Sequence, residues 1–306
     1  MVYSPFWGSH YATIVFKYLS QTVKTLAILF RRKPRAVFVM TPPVIACLPV
    51  WFYTKLTGGV YIVDAHSGAF LQKRWRILLF LHKFVSRHAL TTIVTNEYLK
   101  GIVDGWRAKA TIVRDLPIEF PKPKLPQPTN GCAMTFIGSF TWDEPIDLFF
   151  QAAAKLPDIQ FYMTGNYKDA DATLLKAKPD NVELTGFLSS ADYAGRLIAS
   201  DAVICLTTLD HTMQRGAYEA VYLGKPVITS NTETLRESFH KGTVFVDNSV
   251  SSIVNGIVEM RQQSEKYRGE IQQLKQEKLQ IWDTTQHQIH ALLVGHCGAA
   301  DTSMLD

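Results

Sequence analysis

The densest run of chemistry-bearing residues lies between Thr207 and Ser230. A polar loop, Thr207-Thr208-Leu209-Asp210-His211-Thr212-Met213, leads into Gln214-Arg215-Gly216 and a helical stretch that carries Glu219. Gly224 ends that stretch as a glycine just past a helix C-terminus does, and Pro226 opens the next strand. Free N–H groups at a helix start, the helix dipole and Arg215 together favour an anionic group such as a diphosphate. Glu219, one turn further on, can accept two hydroxyls of a ribose, or it can serve as a capping or ion-pair carboxylate. Asp210 and His211 are the titratable groups of the loop.

Other candidates stand where strands end. Asp64-x-His66 follows an apolar run and precedes Ser67-Gly68, so His66 could orient a sugar hydroxyl or share a proton. Alternatively, Asp64 or Ser67 caps a helix there. Gly138-Ser139, Thr164-Gly165 and Gly186-Phe187 each put a glycine at a loop entry, where backbone can approach a ligand; an ordinary strand-to-helix turn would look the same. Neither GxGxxG nor a P-loop occurs. Asp169-Ala170-Asp171 has the form of a metal-binding Asp-x-Asp but reads as surface loop. The four cysteines, Cys47, Cys132, Cys205 and Cys297, lack metal-ligand spacing and fit a reduced, cytoplasmic protein.

The elements that must position these residues alternate. Strands are expected at Arg35–Met40, Val60–Asp64, Thr91–Thr95 and Ala110–Val113, with helices at Tyr11–Phe30, Val44–Thr57, Leu71–His88 and Glu97–Trp106. Residues 116–130 contain five prolines, at 117, 121, 123, 126 and 128, and read as a linker. The alternation then restarts. Strands are expected at Ala133–Ile137, Ile159–Met163, Val182–Leu184, Ala202–Leu206, Pro226–Thr229 and Thr243–Val246. Helices are expected at Ile146–Leu156, Asp171–Lys176, Ser190–Ala199, Gln214–Leu223 and Thr232–Phe239, followed by one long polar helix over Ser249–Gln280. This pattern predicts an α/β protein with two parallel-sheet domains, 1–118 and 131–265, joined by 119–130 and followed by a C-terminal helix and tail, 266–306. In such sheets ligands bind beyond the C-terminal strand ends.

Glu219-Ala220…Gly224-Lys225-Pro226-Val227-Ile228-Thr229-Ser230 resembles the donor-site signature of GT-B glycosyltransferases, family 4 (group 1). Asp64-x-His66, Gly138, Thr164-Gly165, Gly186-Phe187 and Asp201-Ala202 fall in the matching order. The resemblance implies two Rossmann-like domains facing a cleft, a nucleotide-sugar donor in the C-terminal one, and a glycan or lipid-linked acceptor in the N-terminal one. It implies retaining hexosyl transfer, with the nucleotide sugar as a substrate and no cofactor or metal. Residue by residue, it implies Glu219 at the ribose and Gly186-Phe187 near the base. Arg215, Gly216, Met213, Ser139 and Thr164-Gly165 would be donor-binding, with His66, Asp210 and His211 toward the transferred sugar. His211 stands where the family motif has its first Glu, and Trp142-Asp143-Glu144 where many relatives carry an Arg/Lys pair. No βαβ start precedes Tyr11, so a shortened N-terminal domain is expected.

The net charge of +5 conceals an asymmetry: residues 1–118 carry 16 Lys/Arg against 4 Asp/Glu. Lys73, Arg74, Arg76, Lys83 and Arg87, mixed with Trp75, Phe80 and Phe84, suggest a surface for an anionic membrane. The longest apolar stretch, Ala36–Phe52, is broken by prolines and too short to span a bilayer. Met1–Gly8 lacks a basic n-region, so no secretory leader is expected. No nucleic-acid partner is expected, because the aromatics form no recognised RNA or DNA motif.

Overall fold

A computed structural model describes residues 11–114, 116–127, 131–168 and 170–297, with backbone alone at 11–13 and 297. The chain divides into two compact units: Met1–Arg114 with Asp283–Asp306, and Asp115–Trp282. The segment after Arg114 thus belongs to the second unit, and the C-terminal stretch to the first.

The first unit holds β1 (Ala36–Thr41), β2 (Val60–Ala65), β3 (Thr91–Val94) and β4 (Ala110–Ile112), parallel and in the order β1-β2-β3-β4. Its helices are α1 (Tyr11–Arg32), α2 (Cys47–Thr57, entered through a 3₁₀ turn at Val44–Ala46), α3 (Ser67–Leu71), α4 (Lys73–Arg76), α5 (Leu79–His88) and α6 (Glu97–Gly105). The single helix expected over Leu71–His88 is therefore three short ones, broken where Gln72 turns extended. Packing requires the break. The rings of Phe70 and His82 are in contact, tilted, with centroids 4.9 Å apart, whereas twelve residues along one helix would separate them by about 18 Å. Val63, Val85, Val94 and Leu99 form the centre of this core.

The second unit holds β5 (Cys132–Ile137), β6 (Ile159–Thr164), β7 (Val182–Gly186), β8 (Ala202–Cys205), β9 (Val227–Ser230) and β10 (Thr243–Val246). All pair parallel, in the order β10-β9-β8-β5-β6-β7. The helices α7 (Ile146–Ala153), α8 (Ala172–Lys176), α9 (Ser190–Ala199), α10 (Arg215–Tyr222), α11 (Glu233–Ser238) and α12 (Val250–Gln262) intervene or follow. Every residue of β8 and β9 is buried; β8 therefore reads as an unbroken apolar run, whereas β9 ends in Thr229 and Ser230, whose buried hydroxyls donate to the Cys205 carbonyl and Asn248 Oδ1. Two clusters, around Phe136, Phe149 and Phe161 and around Tyr218, Phe239 and Ile271, flank the sheet. Strand order reverses between β5 and β8, so the crevice of this doubly wound sheet opens at their C-terminal ends. The described strands of the first unit run in sequence order and contain no such reversal.

The long helix expected over Ser249–Gln280 is two. Gln263 is non-helical, and α13 runs over Ser264–Cys297. Ile253, Ile257 and Met260 serve one core cluster, whereas Ile271 and Leu274 serve the other, and a kink lets both stripes turn inward. Further along α13, Leu293 packs with Ile62 and Leu90 of the first unit.

Candidate functional site

A cavity of about 450 Å³ opens at the reversal point of the second sheet. Its floor is the C-terminal ends of β5, β6 and β7: Ile137-Gly138-Ser139, Thr164-Gly165 and Gly186-Phe187. Gly165 has φ +110° and lies so close to Gly138 that a Cβ would fall 2.1 Å from the Gly138 carbonyl oxygen, so only glycine fits. Gly186 is also left-handed, at φ +70°. These turns bring bare backbone to the cavity, and Phe187, 89% exposed, stands at its edge.

One wall comes from α10. Its N-cap residue, Gln214, makes no side-chain cap bond, so the first-turn N–H groups keep their capacity for an anion. Arg215 is largely exposed and donates through Nε to Oε1 of Glu219 at 3.1 Å. Glu219 is mostly buried, and its Oε2 accepts from the Tyr193 hydroxyl at 2.5 Å. Both carboxylate oxygens are thus oriented toward fixed partners. Burial, followed by the Glu219 charge, pushes the Tyr193 phenol well above its ordinary value, so it remains a donor.

The opposite wall comes from the proline-rich segment. Ile118, Glu119, Phe120 and Pro121 line the cavity, and the segment is no free spacer. Lys124 N–H bonds the Ala191 carbonyl at 3.0 Å. Gly195 of α9 lies so close that a Cβ would be 1.9 Å from the Lys124 oxygen.

Ser139, Thr164, Gly165, Gly186, Phe187, Arg215 and Glu219 therefore meet around one cavity. Met213 and Gly216 do not line it. Met213 packs into the apolar cluster of α10 and its sulfur accepts from the Ser238 hydroxyl at 3.8 Å. The space beside Gly216 is filled by Ile137 and Cys205, each within about 3 Å of a would-be Cβ, so this glycine permits close helix–strand packing. Asp210 and His211 lie in the loop before α10, outside the lining. His211 is left-handed at φ +58°, its N–H donates to Asp210 Oδ1 at 2.6 Å, and its ring is 3.7 Å from the same oxygen.

In the first unit, His66 follows β2 and its Nε2 is 3.8 Å from Asp64 Oδ2. Burial holds the Asp64 carboxyl above its usual range, against the lowering effect of His66. Neither Asp64 nor Ser67 caps α3: the N-cap position is His66, with no side-chain cap bond. Asp171 does cap, accepting from Thr173 N–H at 2.6 Å at the start of α8, which explains its carboxylate without a metal; Asp169 lies outside the described residues. Among the described residues no cluster of three or more His, Cys, Asp or Glu could hold a metal ion, and no helix is long and apolar enough to cross a membrane.

Sequence reasoning missed Tyr193, the wall from 118 to 121, and Glu144, whose carboxylate accepts the Ser139 N–H. Only an acidic residue shortly after the Gly138 turn hinted at the last.

Residues 132–263, most of the second unit, match the family described as Glycosyl transferases group 1. No curated protein matches the chain by sequence. Among solved structures, sucrose-phosphate synthase from Thermosynechococcus elongatus is similar at TM-score 0.70 and 14% identity, over 94% of this chain and 80% of that one. HepE from Anabaena, in complex with UDP and glucose, is similar at TM-score 0.71 and 13% identity, over 94% and 84%. A putative UDP-N-acetylglucosamine 2-epimerase from Listeria monocytogenes is similar at TM-score 0.58 and 12% identity, over 89% and 76%. The two parallel α/β sheets, with a crevice at the reversal point of the second, have the GT-B fold, and residues 132–263 of the second unit carry a domain matching Glycosyl transferases group 1.

Proposed function

We propose that the chain moves a hexosyl group from a nucleotide-sugar donor to a glycan or lipid-linked acceptor, with retention, in bacterial polysaccharide or glycoconjugate biosynthesis, as a family 4 enzyme. The observation that carries this reading is Glu219, held by Tyr193 and Arg215 beside an uncapped helix start, in a cavity at the sheet's reversal point. Glu219 would accept the ribose hydroxyls. Arg215 and the first N–H groups of α10 would meet the diphosphate and stabilise it as a leaving group, so no metal or cofactor is needed. The base would lie toward Phe187 and the apolar wall of Ile118, Phe120 and Pro121. His66, Asp210 and His211 are assigned to the transferred sugar on the family resemblance. HepE holds UDP, which makes UDP-sugars the first donors to try.

We assign the acceptor side to the first unit, in a cytoplasmic protein resting on an anionic membrane surface. Support comes from Lys73, Arg74, Arg76, Lys83 and Arg87 near Ile77 and Phe80, which are 73% and 71% exposed. Flotation with anionic liposomes tests this; protein remaining at the bottom of the gradient would refute it.

The donor reading is tested by thermal shift with UDP-, GDP-, ADP- and dTDP-sugars, wild type against Glu219→Ala. One donor should raise Tm in the wild type alone, by RT ln(1 + [L]/Kd), about 2.7 kcal/mol at a hundredfold excess over Kd. No shift with any donor would sink it. The alternatives are a non-catalytic nucleotide-sugar-binding protein of the same fold, which donor binding without hydrolysis or transfer would establish, and a sugar-nucleotide 2-epimerase, a fold that the Listeria structure shares, which isomerised donor without an acceptor would establish.

A further inference from the structure

The loop between β5 and α7 contains an internal anion. Ser139 N–H lies 2.9 Å from both carboxylate oxygens of Glu144, and the N–H groups of Phe140 and Thr141 bear on the same carboxylate. Phe140 is left-handed at φ +55°, a turn that aims successive N–H groups at one point and builds a concave anion cradle. Gly138 and Ser139 line the donor cavity. The Glu144 charge also reaches Cys205, whose thiol is pushed well up by burial and then by Glu219 and Glu144. Cys205 in turn touches the position of Gly216 at the start of α10. A carboxylate therefore occupies N–H groups on the donor side of the reversal point, where a phosphate would otherwise be cradled.

Asp143 ties the loop to the residues that follow β8, independently of Glu144. Asp143 Oδ2 accepts from the Thr207 hydroxyl at 3.0 Å, and its main-chain oxygen accepts from Thr208 N–H at 2.7 Å. Thr207 is itself fixed, through Ser230 and Asn248. The loop can therefore keep its place while the Glu144 side chain leaves.

We propose that Glu144 stands in for a donor phosphate on the N–H groups of Ser139, Phe140 and Thr141, and that the donor's diphosphate binds by displacing it, so that Glu144 sets donor affinity. This rests on the donor reading of the cavity. Displacement needs no covalent step: one anion leaves the N–H groups and another takes them. The charge of Glu144 opposes the incoming phosphate, and its removal should favour binding. Burial holds the Glu144 carboxyl above its usual range, against the N–H groups that lower it, and Asp143 adds to the rise. The titratable groups bearing on it are Asp143 from its own loop and Cys205 from β8.

The test is isothermal titration of wild type, Glu144→Gln and Glu219→Ala with UDP, GDP, ADP and dTDP, at two pH values on either side of the Glu144 transition. Glu144→Gln keeps the shape and removes the charge, and its Tm shows whether it folds as the wild type does. It should bind the preferred diphosphate about tenfold tighter at neutral pH, with the gap from wild type narrowing as pH falls. A purely structural Glu144 would lower Tm and leave the pH dependence of binding alone, which would overturn the proposal. If Glu219→Ala abolishes binding while Glu144→Gln binds no tighter than wild type, the donor reading survives and this inference fails. If no diphosphate binds either wild type or Glu144→Gln, both fail together.

Discussion

The Tyr193 hydroxyl on α9 donates to Oε2 of Glu219 on α10 at 2.5 Å, while Arg215 Nε donates to the other oxygen. A carboxylate held on both sides presents its remaining lone pairs in fixed directions, as two neighbouring ribose hydroxyls require. Hydrogen bonds to charged groups contribute about 1.5–3 kcal/mol. Tyr193→Phe should therefore weaken nucleotide binding about tenfold, and Glu219→Ala about a hundredfold or more. Titration calorimetry with the donor's nucleoside diphosphate reads both, and equal affinities for Tyr193→Phe and wild type would show that the tyrosine orients nothing.

Gly195→Ala separates helix propensity from packing. Alanine inside a helix gains roughly 1 kcal/mol over glycine, which alone would raise Tm. Here the added Cβ meets the Lys124 carbonyl, so the expected outcome is the reverse: a lower Tm, faster proteolysis within 116–127, and weaker nucleotide binding as the wall from Ile118 to Pro121 loosens.

Gly216→Ala should cost about 1–3 kcal/mol by overpacking, because Ile137 and Cys205 already fill the space beside it. Ile137→Ala in the same chain should restore most of the lost stability, a coupling that a double-mutant cycle measures. Independent, additive effects would contradict the packing role assigned to this glycine.

His82 predicts acid sensitivity in the first unit. Burial lowers its pKa from an ordinary 6.5 to about 4, so the folded chain keeps it neutral where the unfolded chain is already protonated. The unfolded state binds more protons across that window, and stability is lost as pH falls from about 6.5 toward 4. The loss is about 3 kcal/mol at its full extent. Denaturant unfolding followed by the fluorescence of Trp106, which stacks on Phe70 and faces His82, should show it. His82→Gln should remove that component of the pH dependence.

Much of the architecture was legible because strands buried on both faces are mostly apolar. Ser190–Ala199 and Thr243–Val246 have the bounds their sequences suggest. The glycine entries at 138, 165 and 186 were legible too, since bare backbone at a strand end is a local property. What depends on packing was not. The breaks at Gln72 and Gln263 arise because flanking stripes must reach different partners. Nothing in the spacing joins Tyr193 to Glu219, which become neighbours only when α9 and α10 lie side by side. Over the described residues 116–127 the prolines correctly excluded helix and central strand, but they carry no sign that Gly195 gives the segment a seat. Gly216 looked like room for an anion, and turned out to be room for Ile137 and Cys205.

The course of α13 has a consequence for biosynthesis. Its early residues, Tyr267, Ile271 and Leu274, complete the clusters of the second unit, while Leu293 closes on Ile62 and Leu90 in the first. On the ribosome, the unit translated first must therefore wait with that apolar patch uncovered, while the unit translated second has all it needs. Order of synthesis and order of completion are inverted, and the nascent chain is exposed to aggregation and to chaperones at Ile62 and Leu90 until the end of α13 emerges.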